Sequence, residues 1–118
     1  MSPDLEEKLY TSYKEMFPKR LTWGFQCDDG WYNLIDTLCH VLSHTSNKIE
    51  VNQVKEKFGT LRFYINDYSN KYICGLIDMT ELYSKNVCEI CGDSAKTRNL
   101  NNILKTLCDK HFMELTKS

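Results

Sequence analysis

Leu5, Leu9, Tyr13 and Met16 recur at helical spacing and give the first segment one apolar face, with Pro18 behind it as a stop. The pattern predicts a helix over about residues 3–17, with Ser2 at the N-cap, Pro3 in the first helical position and Asp4, Glu6 and Glu7 opposing the positive end of its dipole. In "LTWGFQC", Leu21, Trp23 and Phe25 alternate as in a short strand that breaks at Asp28. "CDDGWYNLIDTLCHVLSHT" returns to helical period: Trp31, Leu34, Ile35, Leu38, Val41 and Leu42 share a face, and Asp28 or Asp29 is placed to cap the start. "KIEVNQVKEKFGTLRFYIN" holds two strand-like runs around Phe58-Gly59, a β-hairpin pattern in which Leu61, Phe63 and Ile65 alternate with Arg62 and Tyr64. A change of phase between Val51 and Val54 predicts a bulge. From about residue 70 to 86, Ile73, Leu76, Ile77, Thr80 and Tyr83 form another helical face that leads into Cys88.

The 118 residues suffice for one core and a small appendage. No linker, repeat or low-complexity stretch divides them. The expected architecture is therefore α+β, a helix and β-hairpin domain over residues 1–86 closed by a C-terminal module over 87–118 that packs on it. A composition of 42% hydrophobic and 26% charged residues excludes the disordered class. A formal net charge of −1 argues against non-specific duplex binding, which needs a basic excess to release counterions. The acidic start is not a secretory signal, and no run of about 18 apolar residues forms a membrane span, so a cytoplasmic protein is expected.

Six cysteines without an export signal point to thiols and metal rather than disulfides. Cys27, Cys39 and Cys74 lack a close partner and read as small buried hydrophobes. Cys88 with Cys91, and Cys108 with His111, make two close pairs of soft ligands separated by "GDSAKTRNLNNILKTL". A Cys-x2-Cys turn chelates Zn²⁺ as the first half of a zinc ribbon or finger does, and Gly92 suits a knuckle whose amides face the sulfurs. Cys108 and His111, three apart at the start of a short helix, face the same way. Knuckle, hairpin and helix in this order resemble a treble-clef finger. Four Cys and His ligands fill a tetrahedron, so the expected Zn²⁺ is structural and the chain non-catalytic.

Other constellations offer surfaces. Asp36, His40 and His44 lie four apart on one helix face and could hold a metal or act as an acid/base group, but with no further Glu or His at metal spacing a solvated polar face is the favoured reading. Lys55, Lys57, Arg62 and Tyr64 interleave cations and an aromatic on one hairpin, a pattern that holds phosphate while stacking a base. Trp23, Asp29 and Trp31 could close a pocket around a polar ligand, or the tryptophans could be core. Nucleophile elbow, phosphate-binding Gly loop and His-Glu zinc-protease motif are all absent.

At "CDDGWYNLIDTLCHVL", "VKEKFGTLRFYI" and "CEICG" with "LKTLCDKH", the chain resembles a family of short uncharacterised proteins from phage and prophage genomes. The likeness runs from Trp23 to His111. Family members carry Cys-Gly-Asp-Gly-Trp where this chain has Asp28, and Gly-Gly-Trp where it has Asn101, Asn102 and Ile103; the four ligands are kept. The resemblance implies a phage-type accessory protein acting inside a bacterium, of the kind that inhibits host enzymes, sequesters signalling nucleotides or regulates transcription. The expected activity is binding of an anionic nucleotide-like ligand or a host protein. Two rival readings are a nucleic-acid binder using Lys96, Arg98 and Lys105, and a hydrolase using Asp36, His40 and His44.

Overall fold

In the computed structural model, which describes residues 1–117, the first apolar face forms α1 (Pro3–Ser12). The helix ends short of the expected residue 17. Tyr13 leaves helical geometry at φ −128°, and Met16 and Phe17 turn into the core. Two tertiary bonds explain the early exit: the Tyr13 hydroxyl donates to Asp36 Oδ1 at 2.7 Å, and Val51 N donates to the Met16 carbonyl at 2.9 Å. Ser2 occupies the N-cap position without a side-chain cap; its backbone N–H donates to Asp29 Oδ1 at 2.7 Å instead.

Only Phe25 and Gln26 of the first strand-like segment pair, as β1 (Phe25–Gln26). Gly24 at φ +63° breaks the alternation before it, leaving Leu21 buried and Trp23 exposed rather than sharing one side. β1 runs parallel to β2 (Val51–Lys57), which pairs antiparallel with β3 (Thr60–Ile65), giving the order β1-β2-β3. The turn between β2 and β3 has Phe58 at φ 54° and Gly59 at φ 84°, the two positive angles a type I′ hairpin turn demands. The register shifts between Val51 and Gln53, where the phase change predicts it.

A 3₁₀ turn at Asp29–Trp31 precedes α2 (Tyr32–Ser43), and neither Asp28 nor Trp31, which hold the two N-cap positions, makes a side-chain cap bond. α3 (Lys71–Tyr83) is capped by Asn70, whose Oδ1 accepts from Ile73 N at 3.1 Å, and continues as a 3₁₀ turn at Ser84–Asn86. The core lies between the sheet and these helices, with Trp31, Ile35, Leu61, Phe63 and Ile73 at its centre. The open edge of β3 is closed by side chains: Leu61, Phe63 and Ile65 N–H donate to Ser84 Oγ, Glu81 Oε2 and the Tyr68 hydroxyl. That blunts an edge which would otherwise template another strand.

β4 (Lys96–Leu100) and β5 (Ile103–Leu107) form a second, separate two-stranded sheet, followed by α4 (Asp109–Thr116). Asn101 and Asn102, at φ 53° and 69°, supply the left-handed turn between them. The molecule is thus small α+β, with four helices and five strands in two sheets among the described residues. Ser118, the last residue of the expected C-terminal module, lies outside them. No helix among the described residues is long and apolar enough to cross a membrane.

Candidate metal centre

The knuckle begins where Val87 bridges to Ser94 and reverses through Gly92 at φ +85°. Cys88 N–H donates to the Asp93 carbonyl and Gly92 N–H to the Cys88 carbonyl, both at 2.8 Å, which turns Cys88 and Cys91 toward one point. Cys108 stands at the N-cap of α4 and its sulfur accepts from His111 N at 3.4 Å. The four donor atoms of Cys88, Cys91, Cys108 and His111 lie within 4.8 Å of one another. His111 Nδ1 is 3.7 Å from Cys88 Sγ and 3.2 Å from Cys108 Sγ, and Cys91 Sγ is 3.8 Å from Cys108 Sγ. Nδ1 is therefore the inward nitrogen, while Nε2 faces Glu114 Oε2 at 3.9 Å. Burial alone would raise the Cys88 thiol, but backbone N–H groups of Cys108, Cys91 and Ile90 bring it down to about 7. Cys88 is thus the thiol poised to lose its proton, while burial and the neighbouring Cys88 and Cys108 sulfurs push the Cys91 thiol up. The set can hold one metal ion.

The cluster is built into the main domain. Gly30 N donates to the Glu89 carbonyl at 2.7 Å, and a Cβ on Gly30 would sit 2.1 Å from the Cys88 carbonyl oxygen. Beside it, the Trp31 indole N–H donates to the Val87 carbonyl at 2.8 Å. Glu89 is buried between the two units. Its N–H donates to the Thr106 carbonyl at 3.1 Å, and its Oε2 accepts from Asp28 N at 3.1 Å. Burial pushes its carboxyl up, against the pull of Lys105, whose Nζ is 3.7 Å from both Glu89 Oε1 and Glu56 Oε1. Thr106 Oγ1 donates to the Gly59 carbonyl at 2.5 Å, tying β5 to the hairpin turn. Sequence reading missed Gly30, Glu89 and Thr106 as docking residues; the glycine of "DDGW" was the one available signal.

Expected ligand residues divide. Trp31 is fully buried and cannot reach a ligand, because its ring fills the core and its N–H is used. Asp29 is exposed, with Oδ1 engaged by Ser2 N. Trp23 is 72% exposed. Lys55 stands directly opposite Arg62 across β2 and β3, with Gln53 opposite Tyr64 in the next outward row and the Gln26 amide bonded to Gln53. Lys57 lies at the turn with its ammonium 5.6 Å from the Phe58 ring centre. Trp23 sits in the turn before β1, outside the paired register, and Lys57 at the C-terminal end of β2. Among the described residues, Lys55 and Arg62 have no carboxylate at ion-pair distance, and Arg62 Nε is buried without a hydrogen-bond partner.

The cations of the C-terminal unit are spent differently. Arg98 donates through Nε to the Leu107 carbonyl at 3.0 Å, pairs with Asp109 and lies 4.7 Å above the Phe112 ring. Lys105 is held by its two glutamates, leaving Lys96 exposed. Asp36 does not meet the histidines as a catalytic group would: its carboxylate accepts from Tyr13, and burial, then this bond, push the Tyr13 phenol up. The His40 and His44 rings lie 4.5 Å apart, tilted 49° to one another, and His44 Nδ1 is 2.8 Å from the His40 carbonyl. Cys27 and Cys39 are buried, with burial pushing Cys27 up to about 12 and Cys39 also up, so both are inert thiols. Cys74 is half-buried, with Sγ 3.1 Å from the Tyr68 carbonyl. No protein-family model, curated protein or solved structure matches this chain.

Proposed function

We propose that the protein is a non-catalytic binding module in which Zn²⁺ closes a treble-clef-like C-terminal unit and the outward face of the three-stranded sheet takes an anionic, nucleotide-like ligand. The donor set supports zinc. Three of the six donor pairs stand 3.2–3.8 Å apart and all lie within 4.8 Å, close to the edges of about 3.5–3.8 Å that tetrahedral Zn²⁺ requires when bound at about 2.3 Å to sulfur and 2.0–2.1 Å to nitrogen. Zn²⁺ bound there would supply charge and cross-linking, since four protein ligands leave no position for water or substrate. Knuckle, hairpin and helix follow in treble-clef order. The resemblance to phage-encoded proteins supplies a setting, a small accessory protein inside a bacterium that captures a signalling nucleotide or engages a host protein.

The observation that carries the ligand reading is the Lys55 and Arg62 pair. Like charges directly opposite on a sheet destabilise it, and an unpartnered buried N–H adds to that cost. A phosphate bridging the Lys55 ammonium and the outer guanidinium nitrogens of Arg62 would offset the repulsion, with Tyr64 beside it as a stacking surface. The nucleic-acid reading through the C-terminal unit draws less support, because Arg98 and Lys105 are engaged internally. The test is calorimetric titration with nucleoside triphosphates and inorganic phosphate at low and high salt. Binding that falls by about tenfold or more in each of Lys55→Ala and Arg62→Ala, with zinc content unchanged, is the expected result. Absence of binding to every nucleotide, or affinity unmoved in the double variant, would overturn it.

A further inference from the structure

α3 carries more apolar surface than its own fold covers. Ile73, Ile77 and Thr80 face the core. A second stripe, Tyr72, Gly75, Leu76, Met79, Leu82 and Tyr83, follows the same helical spacing on the outside. Tyr72, Met79, Leu82 and Tyr83 are 65, 63, 63 and 57% exposed. Between α2 and α3 runs a groove of about 530 Å³ in which Leu34, Val41, Leu76, Met79 and Tyr83 take part, and no charged side chain lines it. A helix apolar on two sides is the pattern of a helix buried on two sides.

Gly75 adds an independent sign. It lies in the interior of α3, where glycine is among the weakest helix formers, and a Cβ built on it would meet nothing within 4 Å. Nothing within the chain requires a glycine there. Close approach of another backbone or a large side chain would account for it.

We infer that this face of α3 is the contact between two copies of this chain. Aromatic side chains present roughly 150–250 Å² each and Met and Leu somewhat less, so the four, about 60% exposed, offer at most roughly 500 Å² per copy and a symmetric pair roughly 1,000 Å², the size at which specific interfaces begin. The stripe is also self-complementary. An antiparallel pair about a two-fold axis beside Ile77 sets Met79 of each copy over Gly75 of the other, and Tyr72 against Leu82, large on small at the centre. A net charge of −1 offers little repulsion against pairing. The face is distinct from the Lys55 and Arg62 row, so pairing does not depend on the ligand reading.

Sedimentation equilibrium of the metal-loaded full chain, from low to high micromolar concentration, tests this. The expected mass rises toward twice 13.9 kDa. Met79→Glu places a charge at the centre and weakens pairing by at least about 30-fold, with helical circular dichroism and metal content unchanged. Gly75→Leu gives the same loss although leucine is the better helix former, so a loss of pairing there cannot come from unfolding. A single 13.9 kDa species at every concentration overturns the inference, even if the face then captures a different protein. So does a dimer that neither variant disturbs.

Discussion

The molecule contains two hairpins closed by left-handed turns, and different forces hold them. The hairpin of β2 and β3 lies over a core with Trp31, Ile35, Phe63 and Ile73 among its buried side chains, and its turn is fixed by Phe58 and Gly59. The hairpin of β4 and β5 has Leu107 as its fully buried large side chain, gathered with Cys88 and Cys108. Apolar burial at about 25 cal/mol per Å² can order the first; it cannot order the second alone. On the proposed zinc reading, the C-terminal unit is assembled by its four ligands and tied to the main domain at Gly30, Trp31 and Thr106.

The largest test of that contrast is metal removal. A structural zinc contributes on the order of 10 kcal/mol to a small unit, so chelation should abolish hydrogen-exchange protection over residues 87–116 while β2, β3 and α2 keep theirs. Uniform loss of protection would erase the distinction between the two hairpins. Next in size are paired truncations. Phe63→Ala should cost about 4 kcal/mol in denaturant unfolding, and Leu107→Ala about 2 kcal/mol, because ligands still hold the smaller cluster. Equal costs would show a shared core.

Gly30→Ala sharpens the docking side of the comparison. Its methyl group would collide with the Cys88 carbonyl, so a loss of about 3 kcal/mol is expected, together with weaker metal retention in a competition with a chelator. Unaltered stability would mean that the two units touch only loosely. Trp31→Phe leaves the Val87 carbonyl without its donor and a gap in the core, so a loss of about 3 kcal/mol in thermal unfolding is expected.

Local pattern carried much of this architecture. The i, i+3, i+4 spacing of Trp31, Ile35, Leu38 and Leu42 defined α2, Phe58-Gly59 and the shift at Val51 defined the β2 and β3 hairpin, and the two Cys and His pairs defined the cluster that can hold a metal. Asn101 and Asn102 supply the left-handed turn between β4 and β5 without a glycine. What pattern could not carry was long-range pairing. The Tyr13 bond to Asp36 ended α1 early and removed Asp36 from the histidines. Trp31 belonged to the core, and its indole bond spans 56 residues of sequence. Arg98 and Lys105 read as free cations until Asp109, Glu56 and Glu89 were placed around them. The outer stripe of α3 was visible only once its inner stripe had been seen to fill the core.

X-ray absorption at the metal edge of the purified protein probes the scaffold reading most directly. Three sulfur scatterers at about 2.3 Å and one nitrogen at about 2.0–2.1 Å, with one zinc per chain and no oxygen, is the spectrum this account predicts. An oxygen ligand from water or an added nucleotide in the first coordination sphere would contradict it and return the metal to the chemistry.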